Sequence, residues 1–102
     1  MPFVYLLRCS DGSLYCGWST DLDKRVAMHQ DGKGGRYTAT RRPVELAVAW
    51  ETATNTQARS LEGRIKRLGV REKRSLVAGE PLGTVLDLKD PVQPVNSERT
   101  PS

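Results

Sequence analysis

Short apolar runs in the first half of the chain have the pattern of β-strands. Residues 3–8 and 14–18 are rich in aromatic and aliphatic side chains and flank the polar segment 10–13, which predicts an antiparallel hairpin. Residues 44–51 alternate between apolar and polar types, with one apolar face made of Val44, Leu46, Val48 and Trp50. This alternation predicts a third strand with that face turned to a core.

The segment after the hairpin predicts a first helix. Ser19 or Thr20 offers an N-cap, aspartates follow in the first turn, and the helical pattern continues to about Gln30. The glycine-rich segment 31–35 ends the helix and predicts a flexible loop. The same segment lacks the GK[ST] spacing of a phosphate-binding loop, so no nucleoside triphosphate site is expected.

Two more helices follow the third strand. Thr54 or Thr56 caps a second helix that continues to Leu68 and is stopped by Gly69. Residues 71–78 predict a short third helix. The element order ββαβαα, with the strands grouped early, predicts an α+β fold in which a small three-stranded antiparallel sheet packs against flanking helices.

The turn of the hairpin decides where its tyrosines lie. A two-residue loop would set Tyr5 opposite Trp18 and leave Tyr5 and Tyr15 on opposite faces. A three-residue loop with Gly12 in a left-handed conformation would set Tyr5 opposite Gly17, so that both tyrosines share one face. The sequence permits either register, and tyrosines on strands are commonly packing residues.

Length and charge suggest one small basic domain with a tail. The chain has 102 residues and a net charge of +4, which is enough for a single domain. Residues 1–79 hold fourteen basic and eight acidic residues, whereas residues 80–102 carry a net charge of −2 and four of the six prolines. We therefore expect a domain over 1–79 and an extended tail over 80–102, in which the alternating segment 84–88 docks as an edge strand.

Several classes of protein are excluded by what the sequence lacks. No apolar run approaches the roughly 20 residues of a membrane span, and the apolar start lacks the flanks of a signal peptide. A soluble, cytoplasmic protein is therefore expected. Two cysteines, Cys9 and Cys16, and one histidine are too few for a structural zinc site. Free thiols are the expected state.

Polar residues interrupt the apolar stripes of two predicted helices. Arg25 and His29 lie one turn apart on the inward stripe of the first helix, and Glu62 lies mid-stripe on the second. A buried lone charge costs several kcal/mol unless it is paired or binds a metal. Together they suggest a polar site. Structural alternatives remain: an Arg25–Glu62 salt bridge, a surface pair of Glu62 with Lys66, and His29 as a partner of the helix dipole.

The same residues belong to a longer pattern. Its parts are Val4-Tyr5, Tyr15-Cys16-Gly17 ten positions later, Asp21-Leu22, Arg25, His29 and, in a helix, Glu62. The intervening segments Gly32-Lys33-Gly34, Tyr37-Thr38 and Arg42-Pro43-Val44-Glu45-Leu46 agree with it. Over residues 3–76 the combination resembles the GIY-YIG nuclease domain, and most of all its small stand-alone bacterial members.

The resemblance implies a reaction, namely metal-dependent hydrolysis of phosphodiester bonds. The implied catalytic residues are Tyr5, Tyr15, Arg25, His29 and Glu62. Glu62 would hold Mg²⁺ or Mn²⁺, Arg25 would stabilise charge on the phosphoryl oxygens, and Tyr15 would orient water or phosphate. The general base is Tyr5, its pKa lowered by nearby cations, or His29 accepting the proton through the phenol.

The implied substrate is nucleic acid, DNA in preference to RNA, in the repair or processing of damaged or branched DNA. The residues expected to contact it are Lys33, Arg36, Arg41, Arg42 and Lys66. Phe3 and Cys16 replace a glycine and an isoleucine of the family motifs, and the next asparagine after the metal-binding helix is Asn96. Two alternatives therefore stay open: a non-catalytic nucleic-acid-binding module, and an interaction subunit whose tail docks a protein partner.

Overall fold

The computed structural model describes residues 1–88 and 92–95. The elements are β1 (Phe3–Arg8), β2 (Leu14–Ser19), α1 (Leu22–Gln30), α2 (Arg36–Ala39), β3 (Glu45–Glu51), α3 (Asn55–Lys66), α4 (Val70–Val77), α5 (Leu82–Val85) and β4 (Gln93–Pro94). The strands form one antiparallel sheet in the order β2-β1-β3-β4. The α+β prediction is confirmed. The described residues contain four strands rather than three, and the short helices α2 and α5 were not predicted.

A three-residue loop closes the β1–β2 hairpin. The Cys9 N–H donates to the Ser13 carbonyl at 2.9 Å, and Gly12 has a φ of +84°, a conformation that glycine adopts without strain. Tyr5 therefore lies opposite Gly17. Of the two registers that the sequence permits, this is the one that puts Tyr5 and Tyr15 on the same face of the sheet.

Strand β3 changes face partway along its length. Leu46 pairs with Leu7 of β1, but Val48 pairs with the neighbouring Leu6, so Ala47 is an extra residue in the ladder, a β-bulge. The bulge sends Leu46 into one core cluster and Val48 into the other. The prediction that Val44, Leu46, Val48 and Trp50 form a single apolar face is therefore wrong.

The central strand β1 is buried on both faces. Val4 and Leu6 pack into the larger cluster, which is covered by α3, α4 and α5. Phe3, Tyr5 and Leu7 pack into the second cluster, which α1 covers through Leu22 and Val26. Burial on two sides explains why the strand is a continuous apolar run rather than an alternating one, and it places Tyr5 beneath α1.

Polar side chains cap the two long helices. Asp21 caps α1, accepting a hydrogen bond from a backbone N–H of the first turn at 3.1 Å, so the predicted caps Ser19 and Thr20 are wrong. Thr54 caps α3 through the backbone N–H of Gln57 at 3.1 Å, and the Gln57 side chain accepts from the backbone N–H of the residue before the cap at 2.7 Å. Reciprocal bonds of this kind fix where a helix begins.

The described residues after 79, namely 80–88 and 92–95, fold back onto the domain. The prediction of an edge strand over 84–88 is wrong, since residues 82–85 form α5 and Leu82 is buried in the larger cluster. An edge strand is formed instead by residues 93–94, which pair with the last two residues of β3. The cysteines are free and buried, and none of the described helices is long and apolar enough to cross a membrane.

Candidate active site

A tyrosine and a histidine meet under α1. Tyr5 of β1 and His29 of α1 are almost completely buried, with exposed fractions of 1% and 0%. The Tyr5 hydroxyl lies 2.9 Å from His29 Nε2. Tyr15 of β2 packs against the same imidazole, with ring centroids 5.2 Å apart, and the Arg25 side chain lies close enough to affect the pKa of both Tyr5 and His29. The structure thus brings together four of the five predicted catalytic residues.

Gly17 makes room for the phenol of Tyr5. A Cβ atom at position 17 would lie 2.5 Å from the Tyr5 hydroxyl oxygen and 2.7 Å from Cζ, closer than real Cβ contacts allow. Because the three-residue turn sets Gly17 opposite Tyr5, the missing side chain lets the hydroxyl reach across the edge strand. The glycine of the Tyr15-Cys16-Gly17 motif is therefore required because the Tyr5 phenol occupies the space that any side chain at position 17 would need.

The glycine-rich loop after α1 forms a wall of the site. Gly34 is buried, and a Cβ there would overlap the His29 ring. The Gly34 carbonyl accepts a hydrogen bond from Arg25 Nη2 at 3.2 Å. The loop, predicted as flexible, packs against His29 and fixes Arg25.

A residue that the sequence did not single out for the site completes the contacts of His29. Thr38 of α2 is fully buried, and its Oγ1 lies 2.7 Å from His29 Nδ1. Helix α2 is a single turn, so it shows no apolar periodicity that could have revealed this residue. Both ring nitrogens of His29 therefore have a side-chain partner. This buried, doubly bonded imidazole does not fit the alternative in which His29 only interacts with the dipole of its own helix.

Burial sets the charge state of the two central groups. The pKa of His29 is lowered by burial and by the nearby charge of Arg25, so the imidazole is neutral at neutral pH. The pKa of Tyr5 is raised to about 12 because burial outweighs the hydrogen bond and charge of Arg25. The sequence-based expectation that neighbouring cations would lower this pKa is not met by the groups of the chain itself.

A stack of side chains continues from the imidazole to the surface. The Tyr15 and Tyr37 rings stack at 5.8 Å with an interplanar angle of 28°. The Arg41 guanidinium lies 3.9 Å from the Tyr37 centroid and is held by Asp11 at 3.1 Å. The hairpin loop thereby braces the short helix α2. Like Thr38, Tyr37 lies in the single-turn helix α2, so no apolar periodicity in the sequence could have shown that it lies next to the site.

Glu62 lies on the other face of β2. Its helix α3 packs on the face that carries Cys16, whose Sγ lies 3.9 Å from the Glu62 carbonyl oxygen. The Glu62 side chain is 21% exposed and pairs with Lys66 at 3.7 Å. Of the two salt bridges that the sequence allowed for Glu62, the structure of residues 1–88 and 92–95 contains the one with Lys66 and not the one with Arg25. Glu62 and the tyrosine–histidine contact flank the edge strand from opposite sides.

The chemistry of Glu62 suits a hydrated divalent cation. An open cleft of about 440 Å³ beside it is lined by Trp18, Thr56, Arg59, Ser60 and Glu62. The described part of the chain contains no group of three or more His, Cys, Asp or Glu side chains placed to hold a metal. A single carboxylate nevertheless fits Mg²⁺, which keeps several waters and binds through one or two carboxylates plus a substrate phosphate.

The predicted nucleic-acid contacts differ in how free they are. Arg41 is engaged by Asp11 and Tyr37, as above, and Arg42 donates to the Ala39 carbonyl at 3.1 Å. Lys33 and Arg36 are exposed and form no ion pair among the residues described. The free basic surface next to the site is therefore smaller than the sequence suggested.

Comparison with known proteins shows which family the chain resembles. Residues 1–74 match the model of the GIY-YIG catalytic domain. UPF0213 protein YsiG of Lactococcus lactis is 46% identical over 76% of this chain and 76% of its own length. UPF0213 protein YazA of Bacillus subtilis is 45% identical over 76% of this chain and 78% of its own length. These names state no activity.

A solved structure is similar as well. The solution structure of the UPF0213 protein BH0048 from Bacillus halodurans superimposes with a TM-score of 0.51 and 37% sequence identity, covering 89% of this chain and all of that one. Fold, motif residues and relatives lead to one conclusion. The chain belongs to the GIY-YIG nuclease-domain family, alongside the small bacterial UPF0213 proteins.

Proposed function

We propose that this protein is a metal-dependent endonuclease that hydrolyses phosphodiester bonds in DNA, acting on damaged or branched DNA. The observation that carries the proposal is the buried contact of 2.9 Å between the Tyr5 hydroxyl and His29 Nε2. A neutral imidazole in hydrogen-bond reach of a hydroxyl is the arrangement that proton transfer requires. Family membership supplies the reaction class.

The charge states favour one division of labour. With a pKa of about 12, Tyr5 is a neutral phenol at neutral pH, and a phenol is a poor base in that form. His29 is neutral and accepts the proton that reaches it through the phenol. In this proposal Tyr5 relays the proton and His29 is the general base. The charge states favour this one of the two candidates that the sequence leaves open.

Arg25 supplies the positive charge beside the relay. Its guanidinium remains charged at all relevant pH values, and the Gly34 carbonyl orients it at 3.2 Å. Fixed donors of this kind stabilise the charge that develops on phosphoryl oxygens in the transition state. Tyr15, packed on the imidazole, orients the phosphate or the attacking water.

Glu62 holds the metal in this proposal. Its ion pair with Lys66 is an exposed i,i+4 contact worth about 0.3–0.5 kcal/mol, so it competes weakly with a divalent cation. Bound there, the metal supplies Lewis-acid stabilisation of the leaving oxygen. Lys66, released from the pair, is free to contact the phosphate backbone.

The free edge of β2 is where the two halves of the site meet. Tyr15 and Gly17 face α1, whereas Cys16 and Trp18 face α3, and no further strand lies beyond β2 in the sheet of the described residues. In this proposal a phosphodiester binds at this edge, next to Gly17, between the tyrosine–histidine contact on one face and Glu62 on the other. The proposal therefore predicts that substrate crosses β2 rather than lying on one face of the sheet.

A cleavage assay tests the proposal. Purified protein is incubated with nicked, flapped and branched DNA in Mg²⁺ or Mn²⁺, and Glu62→Gln is compared with Glu80→Gln, an exposed carboxylate outside the site. We expect cleavage by the wild type and the control and its loss in Glu62→Gln. Absence of wild-type cleavage, or equal rates in all three, contradicts the proposal.

The non-catalytic binding module is the alternative to test beside it. It is favoured by the resting ion pair of Glu62 with Lys66 at 3.7 Å, which leaves the carboxylate engaged. That alternative predicts salt-dependent DNA binding with no turnover and no effect of Glu62→Gln on binding. DNA affinity measured as a function of salt, together with the cleavage assay, separates the two.

A further inference from the structure

One unbroken hydrogen-bond chain runs through the buried site. The Tyr5 hydroxyl lies 2.9 Å from His29 Nε2. His29 Nδ1 lies 2.7 Å from Thr38 Oγ1, and that hydroxyl donates to the Gly35 carbonyl at 3.5 Å. The chain ends at a carbonyl oxygen, which only accepts.

This fixed end determines the direction of the hydrogen bonds that lead to it. The Gly35 carbonyl takes the Thr38 hydrogen, so Thr38 Oγ1 accepts from His29 Nδ1–H. His29 Nε2 is then a bare acceptor for the Tyr5 hydroxyl. The other tautomer would aim Nε2–H at the Tyr5 oxygen. The phenol hydrogen would then have no acceptor among the hydrogen bonds of the described residues, and buried hydroxyl groups rarely lack one.

We propose that Thr38 is a positioning residue: its hydroxyl holds His29 in the Nδ1–H tautomer, so that Nε2 accepts the Tyr5 proton. This inference rests on the proposed nuclease function for its catalytic consequence, but not for the tautomer itself. Thr38 touches neither substrate nor metal in this account. It acts through His29, as the second partner of a catalytic imidazole does elsewhere.

The proposed hydrolysis moves one proton from water through Tyr5 to His29. A water O–H bond breaks as its proton passes to the Tyr5 oxygen, while the original phenol proton passes to His29 Nε2. The hydroxide forms a bond to phosphorus, the bond from phosphorus to the leaving oxygen breaks, and that oxygen takes a proton from solvent. His29, now an imidazolium held by Thr38, returns its extra proton through the Tyr5 hydroxyl to a water molecule at the site, which restores the starting state.

The groups around His29 determine which protonation step appears in the pH dependence of kcat. The titratable or charged groups that face the ring are Tyr5 of β1, Tyr15 of β2 and Arg25 of its own helix. Helix α2 contributes the uncharged Thr38. The acid limb of a kcat–pH profile therefore follows protonation of His29. Removing the Thr38 oxygen, which stabilises the imidazolium, should move that limb to lower pH.

The tautomer can be measured directly. The chain contains a single histidine, so every imidazole signal of a ¹⁵N-labelled sample belongs to His29. A long-range ¹H–¹⁵N correlation spectrum of the full chain, without DNA or metal, shows which ring nitrogen carries the proton. We expect the proton on Nδ1 in the wild type. A proton on Nε2 overturns the proposal, whatever a nuclease assay gives.

Two variants test the role of the hydroxyl. Thr38→Val keeps the side-chain shape and removes the oxygen, whereas Thr38→Ser keeps the oxygen. We expect Thr38→Val to lose the pure Nδ1–H form and to lower kcat roughly 10²-fold, within the range that positioned proton transfer contributes, with KM for DNA unchanged. Thr38→Ser should retain the wild-type tautomer, kcat and acid limb.

Each outcome decides the question. A wild-type tautomer in Thr38→Val overturns the proposal, as does an equal loss of kcat in Thr38→Ser. If Thr38→Val fails to fold, the spectra of the wild type and Thr38→Ser still decide. If the wild type does not cleave DNA, the proposed function fails, while the spectrum alone tests the tautomer.

Discussion

Replacing Gly17 by alanine should disrupt both the fold and the site. The new Cβ would lie 2.5 Å from the Tyr5 hydroxyl oxygen and 2.7 Å from Cζ, so either the phenol or the strand pair must shift. Overpacking of a well-packed core typically costs about 1–3 kcal/mol. A displaced hydroxyl also loses its contact with His29, and an unsatisfied buried group adds about 1–3 kcal/mol.

We therefore expect Gly17→Ala to lower the free energy of unfolding by about 2–6 kcal/mol. For a domain of this size, each 1 kcal/mol corresponds to a shift in Tm of about 4–8 °C. Gly63→Ala is the matched control, because Gly63 lies in α3 with nothing within 4 Å of its added Cβ. The control should gain about 0.5–1 kcal/mol from helix propensity. Urea denaturation followed by circular dichroism measures both.

A double mutant separates the steric cause from a general intolerance of position 17. In a Tyr5→Phe background the hydroxyl contact is absent, although the Cζ contact remains, so Gly17→Ala should cost at least about 1 kcal/mol less than in the wild type. Costs that add within about 0.5 kcal/mol, or a Gly17→Ala chain as stable as the wild type, would refute the steric reasoning.

Three further predictions concern pH, the side-chain stack and the tail. The lowered pKa of His29 means that the unfolded chain binds its proton first, so the free energy of unfolding should fall as the pH drops below the unfolded value of about 6.5, by at most about 1.4 kcal/mol per pH unit. Urea titrations between pH 7 and 5.5 check this, and His29→Gln should remove that slope. Arg41→Ala removes the guanidinium that covers Tyr37 and should cost about 0.5–1 kcal/mol, measured by the same titrations, whereas an unchanged midpoint contradicts the brace. A chain of residues 1–79 should fold with a lower Tm, because burial of Leu82 alone contributes about 1.5–3 kcal/mol. A melting curve identical to that of the full chain would contradict the packing of the tail.

Local sequence signals predicted the elements that carry the site. The apolar run of β1 and the polar turn after it predict the hairpin, and the position of Gly12 allows the observed register. The polar residues on the stripe of α1 predict that Arg25 and His29 face inward. These inferences succeed because they depend on residues close in sequence, where turn geometry and helical spacing act directly.

The face switch in β3 lies beyond such signals. A bulge at Ala47 turns Leu46 and Val48 to opposite faces, and nothing in an alternating sequence marks one extra residue. Helix α2 is a single turn and shows no periodicity, so Thr38 could be quoted as part of a motif but not given a role. Both features depend on tertiary packing rather than on local propensity.

The face of the sheet on which Glu62 lies could not be predicted from the sequence either. Its place on the stripe of α3 indicates that it faces the sheet side, but a helical stripe does not say which face of the sheet the helix covers. Helix α3 covers the face of Cys16, opposite to the one that α1 covers. The polar interruptions of the two stripes suggested one site for Glu62 and His29, whereas in the structure the edge strand separates them.

The most direct test of the central claim is the single-turnover cleavage rate of a branched DNA in Mg²⁺, compared between the wild type and Tyr5→Phe. That variant keeps the aromatic ring and removes the hydroxyl that lies 2.9 Å from His29. We predict a rate at least about 100-fold lower with unchanged DNA binding. Equal rates in the two proteins, or no cleavage by the wild type, would contradict a nuclease built on the tyrosine–histidine contact.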